Sequence, residues 1–334
     1  MAKTLYIFSS STLKRKDNNL VLQVKDRPAQ YLPVEAVDEI LIMGDVEINK
    51  SLLELLSNQE IVLHFFDHYG GYTGSYYPPD SKNSGQVFLQ QAAHWLDETK
   101  RHELAAAFVI GAIGNMIRLV NYYQRRYSEI EANDIIDYLR YCLVQAPNTQ
   151  DINSLMGIEG TARNNYYKFF DRLITEQPFK IIKRVRRPPN NIMNALISFI
   201  NSICYTTTLT QIYHTHLDPR ISFLHSPSDR RISLNLDIAE IFKPILVDRL
   251  IFSLVNKKRV KVTDFSMNPQ GGVYASNEAR KVILNEWEQS LRRTVNYPVE
   301  GRKMGWRRII LTEVQKIQKY ITDGSKYEPF ILKY

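Results

Sequence analysis

The chain has 334 residues, 44% apolar and 23% charged, a balance that excludes wholesale disorder and suits one large core or two domains. Its formal net charge of +8 is unevenly spread: residues 1–88 carry 8 Lys/Arg against 11 Asp/Glu, and the remainder 35 against 24. A basic excess confined to the second part points to a polyanionic partner there, with solvated surface lysines as the plainer alternative. Cys142 and Cys204 both sit in apolar segments of helical spacing, so neither a disulfide framework nor a zinc cluster is expected and a reducing cytoplasm suits them. The start of the chain lacks the apolar run of a signal peptide. Residues 104–113, the longest apolar run, are about half the length a membrane-spanning helix needs. The expectation is a soluble cytoplasmic protein.

Short apolar runs alternating with turns predict strands over residues 5–8, 18–24, 29–33 and 39–44. Helical spacing over residues 51–58 predicts one short helix, followed by a buried strand at 61–66 and another beyond the Tyr69-Gly70-Gly71-Tyr72 turn. Residues 76–85, with Pro78-Pro79 and then polar turn residues, form the clearest break. From there helical periodicity dominates. We expect one long helix over 96–127 with possible breaks at Gly111 or Gly114, then helices over 133–143, 158–174, 192–209, 234–255, 277–295 and 307–321. Pro244 should kink or divide the 234–255 helix. The fold class is therefore α+β: a small β-sandwich or β-meander domain with one short helix over residues 1–85, then a larger all-α domain over 86–334.

Chemistry-bearing residues are scattered. Asp237 and Glu240 stand three apart on one face of an apolar helix, and a buried carboxylate needs a cation or a metal; a solvated or salt-bridged helix face is the plainer explanation of the pair alone. Asp248 falls on about the same face, with Lys243 and Arg249 as nearby partners. Glu159 lies four before Arg163, the spacing of a helical ion pair. His225 precedes Ser226-Pro227, a turn able to aim an imidazole, while His214 and His216 would diverge on a helix. No Walker-type loop and no Gly-x-Ser-x-Gly motif occurs, and neither cysteine has a basic surround, which leaves metal-dependent chemistry as the remaining enzymatic class. Basic clusters flank these positions. Lys180, Lys183, Arg184, Arg186 and Arg187 occupy one link, and Arg302, Lys303, Arg307 and Arg308 another; with Arg163, the residues Lys183, Arg184, Arg186, Arg187, Lys303 and Arg307 are candidate phosphate contacts. Tyr166, Phe169, Phe170 and Leu173 have the spacing of helix core.

Taken together and in this order, the motifs resemble the CRISPR-associated endonuclease/integrase family of spacer acquisition (the Cas-one family). The resemblance rests on Gly44-Asp45-Val46-Glu47 and Ile61 to Tyr72 in the first part. In the second it rests on Gly157-Ile158-Glu159-Gly160, Arg187-Pro188-Pro189, Leu217-Asp218-Pro219 to His225, and Leu236-Asp237-Ile238-Ala239-Glu240 to Asp248-Arg249-Leu250. The segment 301–330 looks most like members serving type I systems. The resemblance implies a β-domain that makes a homodimer and a helical domain that holds Mg²⁺ or Mn²⁺ through Glu159, His225 and Glu240, with Asp237 as an accompanying catalytic acid. Position 240 is Glu where other members carry Asp. It further implies double-stranded DNA as substrate, a small ferredoxin-like adaptation subunit as partner in a heterohexamer-type complex, and insertion of short duplexes into the CRISPR array by 3′-hydroxyl attack. A nuclease acting on branched or damaged DNA, and a non-catalytic DNA-binding scaffold, are the alternatives that stay open.

Overall fold

The structure is a computed structural model that describes residues 3–78, 84–185, 188–225, 232–297 and 301–333. The sequence break at Pro79 to Asn83, the cations Arg186 and Arg187, and the Ser226-Pro227 turn lie outside the described residues. The chain divides into two compact units, Met1–Lys82 and Asn83–Tyr334. Strands dominate the first and helices the second, so the chain is α+β.

The first unit holds β1 (Lys3–Ile7), β2 (Ser11–Lys16), β3 (Asn19–Val24), β4 (Gln30–Pro33), β5 (Val37–Ile42), β6 (Val46–Ile48), α1 (Lys50–Asn58), β7 (Val62–Phe66) and β8 (Tyr72–Tyr76). They form two four-stranded sheets, ordered β1-β5-β7-β8 and β4-β3-β2-β6. Only β2, β3 and β4 make the expected meander. β5 lies parallel to both β1 and β7, because the chain leaves its sheet after β5 and returns through α1, the crossover that a parallel neighbour requires. This explains the almost unbroken burial of β5, since a strand in a parallel sheet is covered on both faces. Leu13 and Leu20 from one sheet, Ile40 and Leu63 from the other and Leu52 and Leu56 from α1 share a single core.

That core also encloses a polar chain. Thr4 Oγ1 donates to Glu39 Oε1 at 2.7 Å, His64 Nε2 lies 3.8 Å from Glu39 Oε2, and His64 Nδ1 is 2.6 Å from Ser75 Oγ. Burial pushes the His64 imidazole down to about 4, against the opposing pull of Glu39.

The second unit begins with α2 (Gly85–Leu96) and α3 (Glu98–Arg126), followed by α4 (Asn133–Gln145), α5 (Ile152–Leu173) and α6 (Ile192–Tyr213). The expected helix over 96–127 is α3, and the separate helix α2 precedes it with the boundary at Asp97. That residue leaves helical geometry and turns its carboxylate back to cap α3, accepting from Thr99 N and Lys100 N at 3.1 Å. α3 then runs unbroken through Gly111 and Gly114. By length and composition α3 and α6 could cross a membrane, but 72% and 78% of their apolar windows are buried inside the fold, as in core helices.

Beyond α6 come α7 (Leu234–Phe242), a π-helical turn (Lys243–Asp248) and α8 (Arg249–Asn256). Pro244 supplies no N–H and its ring crowds the carbonyl four residues back, so the helix widens at this point instead of continuing. The unit is not all-helical as expected. β9 (Phe265–Met267) pairs with β10 (Val273–Ala275), α9 (Asn277–Arg292) follows, and β11 (Thr294–Asn296) pairs with β12 (Lys303–Gly305) ahead of α10 (Trp306–Asp323). Three-residue strands are too short to leave a periodic signal.

His64 makes the first unit acid-sensitive. Its folded pKa lies below the unfolded value of 6.5, so its contribution to stability is complete above pH 6.5 and is lost as pH falls toward 4. Urea titrations between pH 7 and pH 4 should show about 3 kcal/mol of stability lost from this group, and His64→Gln should flatten that dependence. An unchanged slope in the variant would assign the acid sensitivity to other groups.

Candidate active site

Three side chains of α5 lie along one face: Glu159, then Arg163 four residues on, then Tyr166. Opposite them, α7 and the π turn present Glu240, Lys243 and Asp248. Arg163 is the link between the two sets. Its Nη2 donates to Glu240 Oε2 at 2.6 Å, its Nε reaches Glu159 Oε1 at 3.4 Å, and its Nη1 lies 3.9 Å from Asp248 Oδ2. Lys243 Nζ donates to the other Glu240 oxygen at 2.5 Å and to Tyr205 Oη of α6 at 3.3 Å. Tyr166 Oη donates to Asp248 Oδ2 at 3.0 Å. Arg163, Glu240, Lys243 and Asp248 are all buried.

The electrostatics follow from this packing. Burial alone would push the Glu240 carboxyl up, but Lys243 and Arg163 outweigh it and hold the group well below the usual carboxylate range. Burial works against the Arg163 and Lys243 charges too, and Glu240 together with further neighbouring groups outweighs it for both. Asp248 is the opposite case: burial prevails over Arg163 and Tyr166, and the carboxyl rises to about 6. Its partners differ from those expected. Lys243 turns to Glu240, and the guanidinium of Arg249 sits over the Tyr122 ring, 5.1 Å from its centroid. The π turn between Glu240 and Asp248 changes the angular phase, so the acid meets α5 instead of its own neighbours.

A second cluster fixes His225. Asp237, fully buried one turn before Glu240, accepts from Phe223 N at 2.7 Å and Leu224 N at 2.9 Å through Oδ2, and from His225 N at 3.0 Å through Oδ1. Oδ1 also lies 2.7 Å from His225 Nδ1. With Nδ1–H committed to that carboxylate, Nε2 is the imidazole nitrogen left to face a ligand. Burial lowers the His225 pKa, but the Asp237 hydrogen bond and charge more than compensate, and the net shift is upward. Asp237 thus spends both oxygens on shaping the loop and orienting the ring.

The four sequence-derived acids and histidine fall into these two adjoining clusters, both carried by α7; Glu240 and His225 lie close enough to influence each other's charge. Among the described residues, no three His, Cys, Asp or Glu side chains form a ready-made metal cage. The donor set nonetheless suits a hard divalent cation: two carboxylates, and an imidazole oriented by a third. Lys243, Tyr166 and Tyr205 complete the site and were missed. A lysine three residues after a glutamate was visible in the sequence, but the tyrosines had only the spacing of core.

The candidate phosphate contacts separate. Arg163 is a correction, because a buried guanidinium enclosed by acids cannot serve a surface polyanion. Arg307 donates to Glu288 Oε1 at 2.5 Å, and Arg184 to the Val185 carbonyl, Asn194 Oδ1 and Ser198 Oγ at 2.6–3.2 Å, so both are engaged within the fold. Lys183 and Lys303 are exposed, as are Arg292, Arg293, Arg302 and Arg308 around the β11–β12 ribbon.

Residues 5–289 match the family model described as CRISPR associated protein Cas1. The chain belongs to the Cas1 family. It is 45% identical over 331 residues to CRISPR-associated endonuclease Cas1 2 of Thermodesulfovibrio yellowstonii, covering 99% of both chains. Among solved structures, a Cas1 protein from Thermotoga maritima superposes with a TM-score of 0.86 at 39% identity, over 99% of this chain and 100% of that one. A casposase bound to integration product shares the fold at 19% identity, with a TM-score of 0.84 over 98% of this chain and 93% of that one. Cas1 relatives are thus named as endonucleases, and this chain carries their fold along its full described length.

Arg163 is the cation on which this site rests. Arg163→Met leaves buried acids without their partner and should cost about 3–5 kcal/mol in urea unfolding at neutral pH. A loss below about 1 kcal/mol, the range of exposed pairs, would contradict its placement.

Proposed function

We propose that this chain is a metal-dependent DNA endonuclease and integrase of CRISPR adaptation. The observation that carries the reading is the ionised, buried Glu240 beside an imidazole whose Nδ1 is locked by Asp237, both within the residues that match the Cas1 family model. Mg²⁺ or Mn²⁺ would be held by Glu159, His225 and Glu240 and would supply Lewis-acid polarisation of the phosphodiester.

The protein's own residues have distinct tasks. Glu240 stays charged because Arg163 and Lys243 flank it, so the carboxylate is available as a donor at any physiological pH. Asp237 holds the tautomer of His225 and the course of its loop, which makes it a positioning residue. Lys243 and Arg163 serve the Glu240 carboxylate, each donating to one of its two oxygens. The exposed cations of the β11–β12 ribbon, with Lys183, would hold the duplex backbone without reading sequence.

The reaction is a transesterification. The 3′-hydroxyl of a short duplex attacks a phosphorus at the CRISPR repeat boundary; a new P–O bond forms, the array's P–O3′ bond breaks, and the departing 3′-oxygen takes a proton. Bond energy is conserved, so no nucleotide triphosphate is needed. Water in place of the 3′-hydroxyl gives the endonuclease reaction. In keeping with family membership, we assign the first unit to homodimer formation, the second to catalysis, and a small ferredoxin-like subunit as the partner in the cytoplasm.

Glu159→Gln and Glu240→Gln should each abolish Mn²⁺-dependent integration into a repeat-bearing plasmid while leaving duplex binding in gel-shift assays unchanged. Asp237→Asn should cost about 10–100-fold in rate, the range of residues that orient a ligand. Full activity in either Glu variant would sink the catalytic assignment, and equal cleavage of branched duplexes without integration would redirect it to repair.

A further inference from the structure

Residues 324–333 form neither helix nor strand, yet Tyr327, Phe330 and Leu332 among them are buried. Gly324, at φ 73°, ends α10 in the left-handed region and turns the chain back across the helices. Glu313, fully buried on α10, then accepts from Tyr327 Oη at 2.6 Å and from Phe330 N at 3.0 Å through one oxygen. The Phe330 ring stacks on Phe242 at 6.1 Å and on Tyr297 at 6.0 Å, with Trp306 edge-on at 5.8 Å.

The two glycines of α3 are what admit this strap. A Cβ on Gly111 would come within 2.8 Å of Pro329 Cβ and 3.1 Å of Ile241 Cγ1; one on Gly114 would meet Ile331 Cδ1 at 2.7 Å. Their bareness leaves a track along α3 into which the strap is pressed, which accounts for residues that otherwise weaken a helix.

Directly after Gly114 sits Asn115, completely buried. Its Nδ2 donates to the Phe330 carbonyl and to the Ile241 carbonyl, both at 2.9 Å, and its Oδ1 accepts from Leu332 N at 2.9 Å. One amide therefore joins α3, the strap and the end of α7. Ile241 directly follows Glu240. Three residues beyond it Pro244 has no N–H, so the helical bond from position 244 to the Glu240 carbonyl cannot form. The last turn of the helix carrying the active-site acid is short of internal hydrogen bonding and is held from outside.

We propose that the strap of residues 324–333 is a positioning element for α7, and that Asn115 is the residue through which it sets the place of Glu240. The inference rests on the reading that Glu240 serves catalysis, and it adds a device outside the site on which that service depends. Side chains misplaced by about 1 Å can cost a hundredfold in rate, so the contact has leverage without touching substrate.

The test uses the full chain with Asn115→Leu, which removes three hydrogen bonds, and Gly114→Val, which lifts Ile331 from its track. Each should lower kcat for Mn²⁺-dependent DNA cleavage by about 10–100-fold with KM for DNA unchanged. Each should also speed hydrogen exchange at residues 237–242 while leaving α4 unaffected. The double variant should be little worse than the poorer single one, since both act through one contact. Should Asn115→Leu fail to fold, Ile331→Ala trims the strap alone and is read the same way. Unchanged kcat and exchange, or losses that simply add, overturn the proposal. Glu240→Gln separates the two levels: if that variant retains cleavage the catalytic reading itself fails, and if it is inactive while the strap variants are normal only the positioning role falls.

Discussion

Glu240 is a carboxylate removed from water and given two cations, Arg163 across the helix interface and Lys243 from the turn that follows it. Ionised groups are tolerated in a protein interior only with such close, hydrogen-bonded compensation. The requirement fixes much around it. α5 must present Arg163 to α7, so the helices are set against each other at one register; Tyr166 supplies its hydroxyl to Asp248 and Tyr205 accepts from Lys243. The π turn brings Lys243 and Asp248 to the same cluster from a helix that a proline would otherwise have broken. A charged pair of this kind contributes little net stability over a well-packed apolar one, but it keeps a carboxylate ionised in a buried place, which apolar packing cannot do.

α7 carries both halves of the site. Asp237 gathers the backbone of residues 223–225 and aims His225, and one turn later Glu240 faces α5. A shift of this helix would disturb imidazole and carboxylate together. Its two ends are held differently: the first through Asp237 and the loop it organises, the second through Asn115 and the strap. Rigid support on both sides matches the precision that phosphoryl transfer asks of groups with little covalent work to do.

Much of the fold was written in local pattern. Runs such as Leu20 to Val24 and Val62 to Phe66, and the period of α5 or α10, declare their elements because burial of one face repeats with the backbone. β2 was passed over because half of it is Lys14, Arg15 and Lys16, exposed residues that look like a turn. The parallel pairing of β5 lies in the path of the crossover, and Asp38-Glu39 interrupts the apolar run that a strand covered on both faces would otherwise show. At the site, Glu159 and Arg163 are four apart and their pairing was readable. Arg163 and Glu240 are 77 residues apart, so the ion pair at the centre of the cluster had no local signature. Asp248 was misjudged for the same reason, its partners lying on another helix. The family motifs pointed to Glu240; spacing alone did not.

If Glu240 serves as a metal donor, Arg163 and Lys243, which hold its two oxygens, are the cation's competitors there. Calorimetric titration of Mn²⁺ into the full chain, Lys243→Met and Glu240→Gln measures that competition. Removing the lysine should tighten Mn²⁺ binding, because one competitor is gone, and removing the carboxylate charge should abolish it. Equal or weaker binding in Lys243→Met, or undiminished binding in Glu240→Gln, would show that the cation does not bind at Glu240 in competition with these residues.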